Sequence, residues 1–201
     1  MSIYAFSIKE NSEQFGWRIF PSYFTPEECK QLITDHSNET PWDGGVVNQP
    51  NATTDESQSN VLKSIRNVTI KTVTVETCPW IFDKMNSLVW GVNEAYQFEL
   101  TGFMEDMQLL HYGDDIGGGH YKWHQDWGPA YLSTRKLTII VQLTDPAEYD
   151  GCQTEVSCNG IAPQGIGDVV VFPSFMPHRV LELTKGNRDA LVAWVNGPPY
   201  K

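Results

Sequence analysis

The period of the hydrophobic pattern changes along this chain, and the changes divide it into elements. Residues 3–8 and 15–20 (FGWRIF) read as short strands. Thr25-Pro26-Glu27-Glu28 is a helix start. Thr25 can cap, Pro26 suits the first helical position, and Glu28 can close a capping box. The helix then runs through CKQLITDH. Residues 41–60 lack apolar periodicity and are rich in Asn, Thr, Ser, Gln and Gly, which predicts a long mobile loop of the kind that serves as a lid. Residues 64–76 alternate with β-branched side chains and predict strand. Residues 79–96 place Ile81, Phe82, Met85, Leu88, Val89 and Val92 at helical spacing behind Pro79. From residue 98 the pattern becomes a series of short strands: FELTGF, EDMQLLHY, GHYKWHQD, KLTIIVQLT, CQTEVSC, GDVVVF, HRVLELT and DALVAWV. Closely spaced short strands predict a sandwich or barrel rather than βαβ units. The expected fold is mainly β with N-terminal helices: a helical support and lid loop over 1–97 backing a jelly-roll core over 98–201, in one domain.

Composition narrows the class. The 201 residues, 40% of them hydrophobic, are enough for one domain with a substantial core. A formal net charge of −11 argues against nucleic acid and anionic membrane as partners. No apolar run approaches a membrane span, and the stretch MSIYAFSIKENSEQ lacks the pattern of a secretion signal. Cys29, Cys78, Cys152 and Cys158 form no CxxC pair and are expected to be reduced thiols in a cytoplasmic protein.

The candidate chemistry lies in YKWHQDWG and HRVLELTKGNR. Two imidazoles and a carboxylate (His124, Asp126 and His178) make a facial set for a non-haem ferrous ion, with positions left open for a co-substrate and O2. If 120–126 is a strand, His124 and Asp126 share a face. Arg188, ten residues after His178, offers a planar fork for a carboxylate. If 185–187 is a hairpin turn with Thr184 opposite Arg188, then His178 and Arg188 look into one cavity. The other histidines fit less well. His120 has Lys122, not a carboxylate, two residues on and belongs to the rim; His111 reads as structural; His36 has no partner pattern.

The stretches FTPEECKQLI, QLLHYGDDIGGGHYKWHQD, RKLTIIVQLTDPAEYDGC and GDVVVFPSFMPHRVLELTKGNRDALVAWVNGP resemble the iron(II)- and 2-oxoglutarate-dependent dioxygenases. The similarity is to the prolyl 4-hydroxylase-like group and its PKHD-type hydroxylase relatives, and it runs from Phe24 to Pro198. It implies a double-stranded β-helix, a cupin-like jelly roll. It implies Fe(II) on His124, Asp126 and His178, and 2-oxoglutarate with its distal carboxylate on Arg188. It also implies that Tyr112 hydrogen-bonds that acid, that Thr138 and Gln142 can face it, and that Trp194 packs near it. O2 as oxidant, ascorbate as reductant, and succinate and CO2 as co-products follow from the same resemblance. The segment after Tyr149 departs from the family: Cys152 stands where a glycine is usual and Thr154 where an apolar residue is usual. Arginine at 188 fits the bacterial relatives.

Trp42, Tyr121, Trp123, Trp127 and Tyr131 cluster around the lid and the metal strand and can flank a substrate ring. Peptidyl proline is the first expectation. A free amino acid or other small metabolite is the second, and a nucleobase, disfavoured by the acidity, the third. A non-catalytic jelly-roll binding module is the contrasting reading.

Overall fold

The computed structural model describes residues 16–44 and 63–200. The expected strand at 3–8 and most of the expected 41–60 loop lie outside them. Helix α1 (Pro26–Asp35) starts where its signals placed it. Thr25 Oγ1 accepts from the Glu28 amide at 3.2 Å, and Glu28 Oε2 accepts from the Thr25 amide at 2.8 Å. Helix α2 (Pro79–Tyr96) buries Ile81, Met85, Leu88, Val89 and Val92, and ends at Gln97 in the left-handed conformation. Lys84 of α2 pairs with Glu28 of α1 at 2.6 Å and ties the helices together.

The strands are β1 (Arg18–Phe20), β2 (Trp42–Asp43), β3 (Arg66–Asn67), β4 (Thr69–Val73), β5 (Met107–Gly113), β6 (His120–His124), β7 (Arg135–Gln142), β8 (Tyr149–Gly151), β9 (Thr154–Val156), β10 (Gly160–Ile161), β11 (Val169–Pro173), β12 (His178–Val180) and β13 (Leu183–Asn196). One sheet runs β1-β11-β7-β13-β5-β4-β2 with β8 attached to β13; the other runs β10-β9-β12-β6-β3. Strand parity divides the core. Leu137, Ile139 and Val141 of β7 and Leu191, Ala193 and Val195 of β13 pack against the helices. The intervening residues Ile140, Ala190, Val192 and Trp194 face the smaller sheet. Because side chains alternate, Thr138, Gln142 and Arg188 share that inner face. No helix among the described residues is long and apolar enough to cross a membrane.

Two expected strands come out differently. Residues 98–103 are irregular, with an isolated bridge from Gly102 to Asn196. Residues 183–196 are one strand, not a hairpin about 185–187. Gly186 (φ +81°) serves a close approach instead of a turn: a Cβ there would lie 2.2 Å from Glu148 O. The first residues of β13 pair with β8, the later ones with β5 and β7, and β12 pairs with β6 and β9.

His111 fastens the β5–β13 pair. Nδ1 lies 2.9 Å from Asp189 Oδ1 and Nε2 3.0 Å from Asp115 Oδ1. The hydrogen bond to Asp189 and then the one to Asp115 raise its pKa to about 9 against the opposing effect of burial. The protonated ring therefore stabilises the fold fully below its ordinary value of 6.5, and that contribution is lost as pH rises through about 9. A melting series from pH 7 to 10 should show a decline that His111→Gln flattens.

Candidate metal centre

His124 is the last residue of β6, and His178, the first of β12, is its direct partner across the sheet. Asp126 comes from a bend just beyond β6, not from a strand running to 126. Its amide donates to Ser174 O at 3.0 Å, which turns the carboxylate inward. One ligand atom from each of these residues lies within 4.8 Å of the others. His124 Nε2 is 3.7 Å from Asp126 Oδ1, and His178 Nε2 is 3.5 Å from Asp126 Oδ2.

The far side of each ring fixes its tautomer. His124 Nδ1 meets Lys122 O at 2.8 Å and His178 Nδ1 meets Met176 O at 3.0 Å. A carbonyl only accepts, so Nδ1 carries the proton and the Nε2 lone pair points at the centre. Burial, then the neighbouring His178, pushes His124 down to about 3, so its ring is neutral at ordinary pH. Burial raises the Asp126 pKa, but His178, His124 and Arg135 outweigh it and keep the carboxyl below its ordinary value. Two imidazoles whose Nε2 atoms face the centre and one carboxylate are a donor set suited to a divalent transition metal with open positions.

Thr138 donates to Asp126 Oδ2 at 2.7 Å and sits 3.1 Å from Ser174 Oγ, so it supports a ligand carboxylate. Outer partners of this kind are worth about 10–100-fold in metal affinity. Thr138→Val should weaken ferrous binding by that order in a metal titration without unfolding the protein.

Arg188 is 1% exposed. Its Nε donates to Gln142 Oε1 at 3.0 Å, Nη2 to Thr154 Oγ1 at 3.2 Å, and Nη1 lies 3.9 Å from Cys152 Sγ. Among the described residues no carboxylate pairs with it, and Gln142 Nε2 is also buried without a partner. A buried guanidinium held only by neutral groups is costly, and an anion would offset that cost. The guanidinium sits 5.5 Å from the ring of Tyr112, its neighbour across the β5–β13 ladder.

The three candidate ligands line a cavity of about 200 Å³. Leu110, Ile140 and Val192 form apolar wall, Tyr112 and Trp194 reach it, and Trp42, Tyr121 and Tyr131 stand at its sides. Arg188, Thr138 and Gln142 share the inner face of the large sheet with the lining residues Ile140, Val192 and Trp194. Trp123 and Trp127 are not part of it. Trp123 neighbours His124 on a strand, faces the opposite side and lies under Arg179 at 4.8 Å, while Trp127 packs on Tyr200. Of the remaining histidines, His120 is held by Ser64 O and His36 is buried against Leu32 O.

Residues 107–196 match the 2OG-Fe(II) oxygenase superfamily. Over that stretch, a little under half of its length, the chain is similar to this superfamily. Among curated oxygenase relatives, a PKHD-type hydroxylase of Teredinibacter turnerae is 30% identical over 87 residues, covering 39% of this chain and 38% of that protein. One from Prochlorococcus marinus is 33% identical over 85 residues, covering 39% and 37%. The chain thus spans less than two fifths of the length of the curated relatives it matches. A Pseudomonas putida prolyl-4-hydroxylase superposes with a TM-score of 0.68 at 17% identity, over 92% of this chain and 94% of that one. A prolyl hydroxylase from Trichoplax adhaerens, solved with a hypoxia inducible factor oxygen degradation domain peptide fragment, gives 0.67 at 16%, over 90% and 83%. The viral collagen prolyl hydroxylase of Paramecium Bursaria Chlorella virus-1, solved with 2OG, gives 0.65 at 16%, over 90% and 96%. At these identities the shared feature is the oxygenase fold.

Sequence reasoning missed two cations at the cavity. Arg135 bonds to Glu105 and lies 3.7 Å over the Trp194 ring. Arg66 lines the cavity beside Tyr121. Parity with Val68 and Ile70, both in the inner core, was the available signal for Arg66.

Proposed function

We propose that this chain is an iron(II)- and 2-oxoglutarate-dependent hydroxylase of prolyl-4-hydroxylase-like type, acting on peptidyl proline and releasing succinate and CO2. The two-sheet sandwich is read as a double-stranded β-helix with its core in 98–201 and its support in 1–97. The observation that carries the reading is the convergence of His124 Nε2, His178 Nε2 and the Asp126 carboxylate within 4.8 Å beside an apolar-walled cavity. When bound there, ferrous iron supplies the activation of O2 that an unactivated C–H requires.

The protein's own groups hold, orient and exclude. The bonds to Lys122 O and Met176 O lock both imidazoles, and Thr138 locks Asp126. Arg188 takes the distal carboxylate of 2-oxoglutarate, aimed by Gln142 and Thr154, with Tyr112 and Trp194 against the bound acid. Leu110, Ile140 and Val192 limit water around the reacting groups. Trp42 and Tyr131 offer ring faces to a prolyl ring, and the peptide fragment bound to the Trichoplax adhaerens prolyl hydroxylase supports a peptide substrate. The test is succinate release from 2-oxoglutarate with ferrous iron, using proline-containing peptides, free amino acids and no added substrate. Iron-dependent succinate, increased by peptide together with gain of one oxygen on it, is expected. Absence of iron-dependent succinate overturns the reading.

A further inference from the structure

We infer that Arg66 is a carboxylate-binding subsite, so that the substrate presents an acid group beside the carbon it has oxidised. This rests on the oxygenase reading and names the chemistry of its substrate. Arg66 lines the same cavity as His124, Asp126 and His178. Its guanidinium lies 4.7 Å over the ring of Tyr121, and that ring stacks on His124 at 3.4 Å, so the cation is one ring removed from a candidate metal ligand. Stacking occupies the face of the guanidinium and leaves the N–H edge free for a planar acceptor.

That edge is unused within the described protein. Arg66 Nε is buried with no hydrogen-bond partner, and no described carboxylate pairs with Arg66. The other arginines around the site are satisfied differently. Arg135 is bonded to Glu105, Arg179 to Glu155, and Arg188 to Gln142 and Thr154. In a chain of net charge −11, a cation left without an acid at the cavity wall marks where a ligand's negative charge belongs. The carboxylate has two sources: the α-carboxylate of a free amino acid, or an acidic side chain next to the target residue in a peptide.

The experiment compares matched acids and amides: proline with prolinamide, and proline peptides carrying Asp or Asn beside the proline. Substrate-stimulated succinate release is read in wild type, Arg66→Gln and Arg66→Lys. Titration of the same compounds into metal-free protein, followed by tryptophan fluorescence, gives a second readout, since Trp42 and Trp194 line the cavity. At least one acid should bind and stimulate well above its amide. Arg66→Gln should raise the KM for that acid by roughly 10–100-fold and erase its preference over the amide, with Arg66→Lys restoring part of it. The pair that responds identifies the source. Equal behaviour of acid and amide in wild type overturns the inference, as does binding of none of the acids by protein that converts 2-oxoglutarate. A rise in KM for 2-oxoglutarate in place of the substrate assigns Arg66 to the co-substrate and equally overturns it. Loss of iron-dependent succinate in wild type is a separate result that removes the oxygenase reading itself.

Discussion

Asp126→Ala is expected to take iron-dependent succinate formation below about a hundredth of wild type, a larger loss than that from an outer partner such as Thr138. The carboxylate is the anionic member of the donor set, and both Nε2 atoms converge on it at 3.5–3.7 Å. Removing it leaves two neutral imidazoles, which cannot balance the charge of a divalent ion. His124→Ala should act similarly through loss of a nitrogen donor. Neither change should unfold the protein. His124 is at the end of β6, Asp126 is in a bend, and the β6–β12 pairing is carried by backbone groups. Circular dichroism and a ferrous titration on the same samples separate the cases: native spectra with weakened metal binding are expected. Wild-type turnover in either variant would remove the metal assignment.

What was readable in the sequence follows from how local each signal is. The capping box at Thr25 and Glu28 and the helical stripe over 79–96 involve residues a few positions apart, and both helices form where expected. FELTGF alternates like a strand, yet pairing depends on a distant partner, and only Gly102 meets one. Lys185-Gly186-Asn187 looks like a turn, but the glycine spends its conformational freedom on passing Glu148, so β13 continues. The types of the three candidate ligands were visible because few side chains bind such a metal. The reason they meet was not, since the meeting comes from β12 lying beside β6 and from Ser174 turning the bend at Asp126. His178 and Arg188 were expected on one hairpin. They stand on two facing sheets and are brought toward each other by packing across the inner core. The parity that Arg66 shares with Val68 and Ile70 gives only the face it takes; its place beside the site depends on β3 pairing with β6, which that parity does not record.

Arg188→Met should abolish most of the affinity for 2-oxoglutarate while leaving the empty protein at least as heat-stable as wild type. The two halves have one cause. Arg188 is buried with neutral partners, so in the absence of an anion the fold bears the cost of desolvating a charge, and a long apolar side chain removes that cost. With the co-substrate present the balance reverses. Truncating one member of a buried, hydrogen-bonded charge pair costs about 2–5 kcal/mol, which is roughly 30-fold to several thousand-fold in the KM for 2-oxoglutarate. A carboxylate remote from the reacting carbon is held alike before and during reaction, so kcat at saturating 2-oxoglutarate should fall much less than kcat/KM. Arg188→Lys keeps the charge but loses the fork that Gln142 and Thr154 orient, and should lie between. Thermal shift supplies a check that needs no turnover. A ligand that binds the folded form raises its melting temperature by mass action, so 2-oxoglutarate should stabilise wild type, stabilise Arg188→Lys less and leave Arg188→Met unmoved. Equal stabilisation of all three would place the distal carboxylate elsewhere in the cavity.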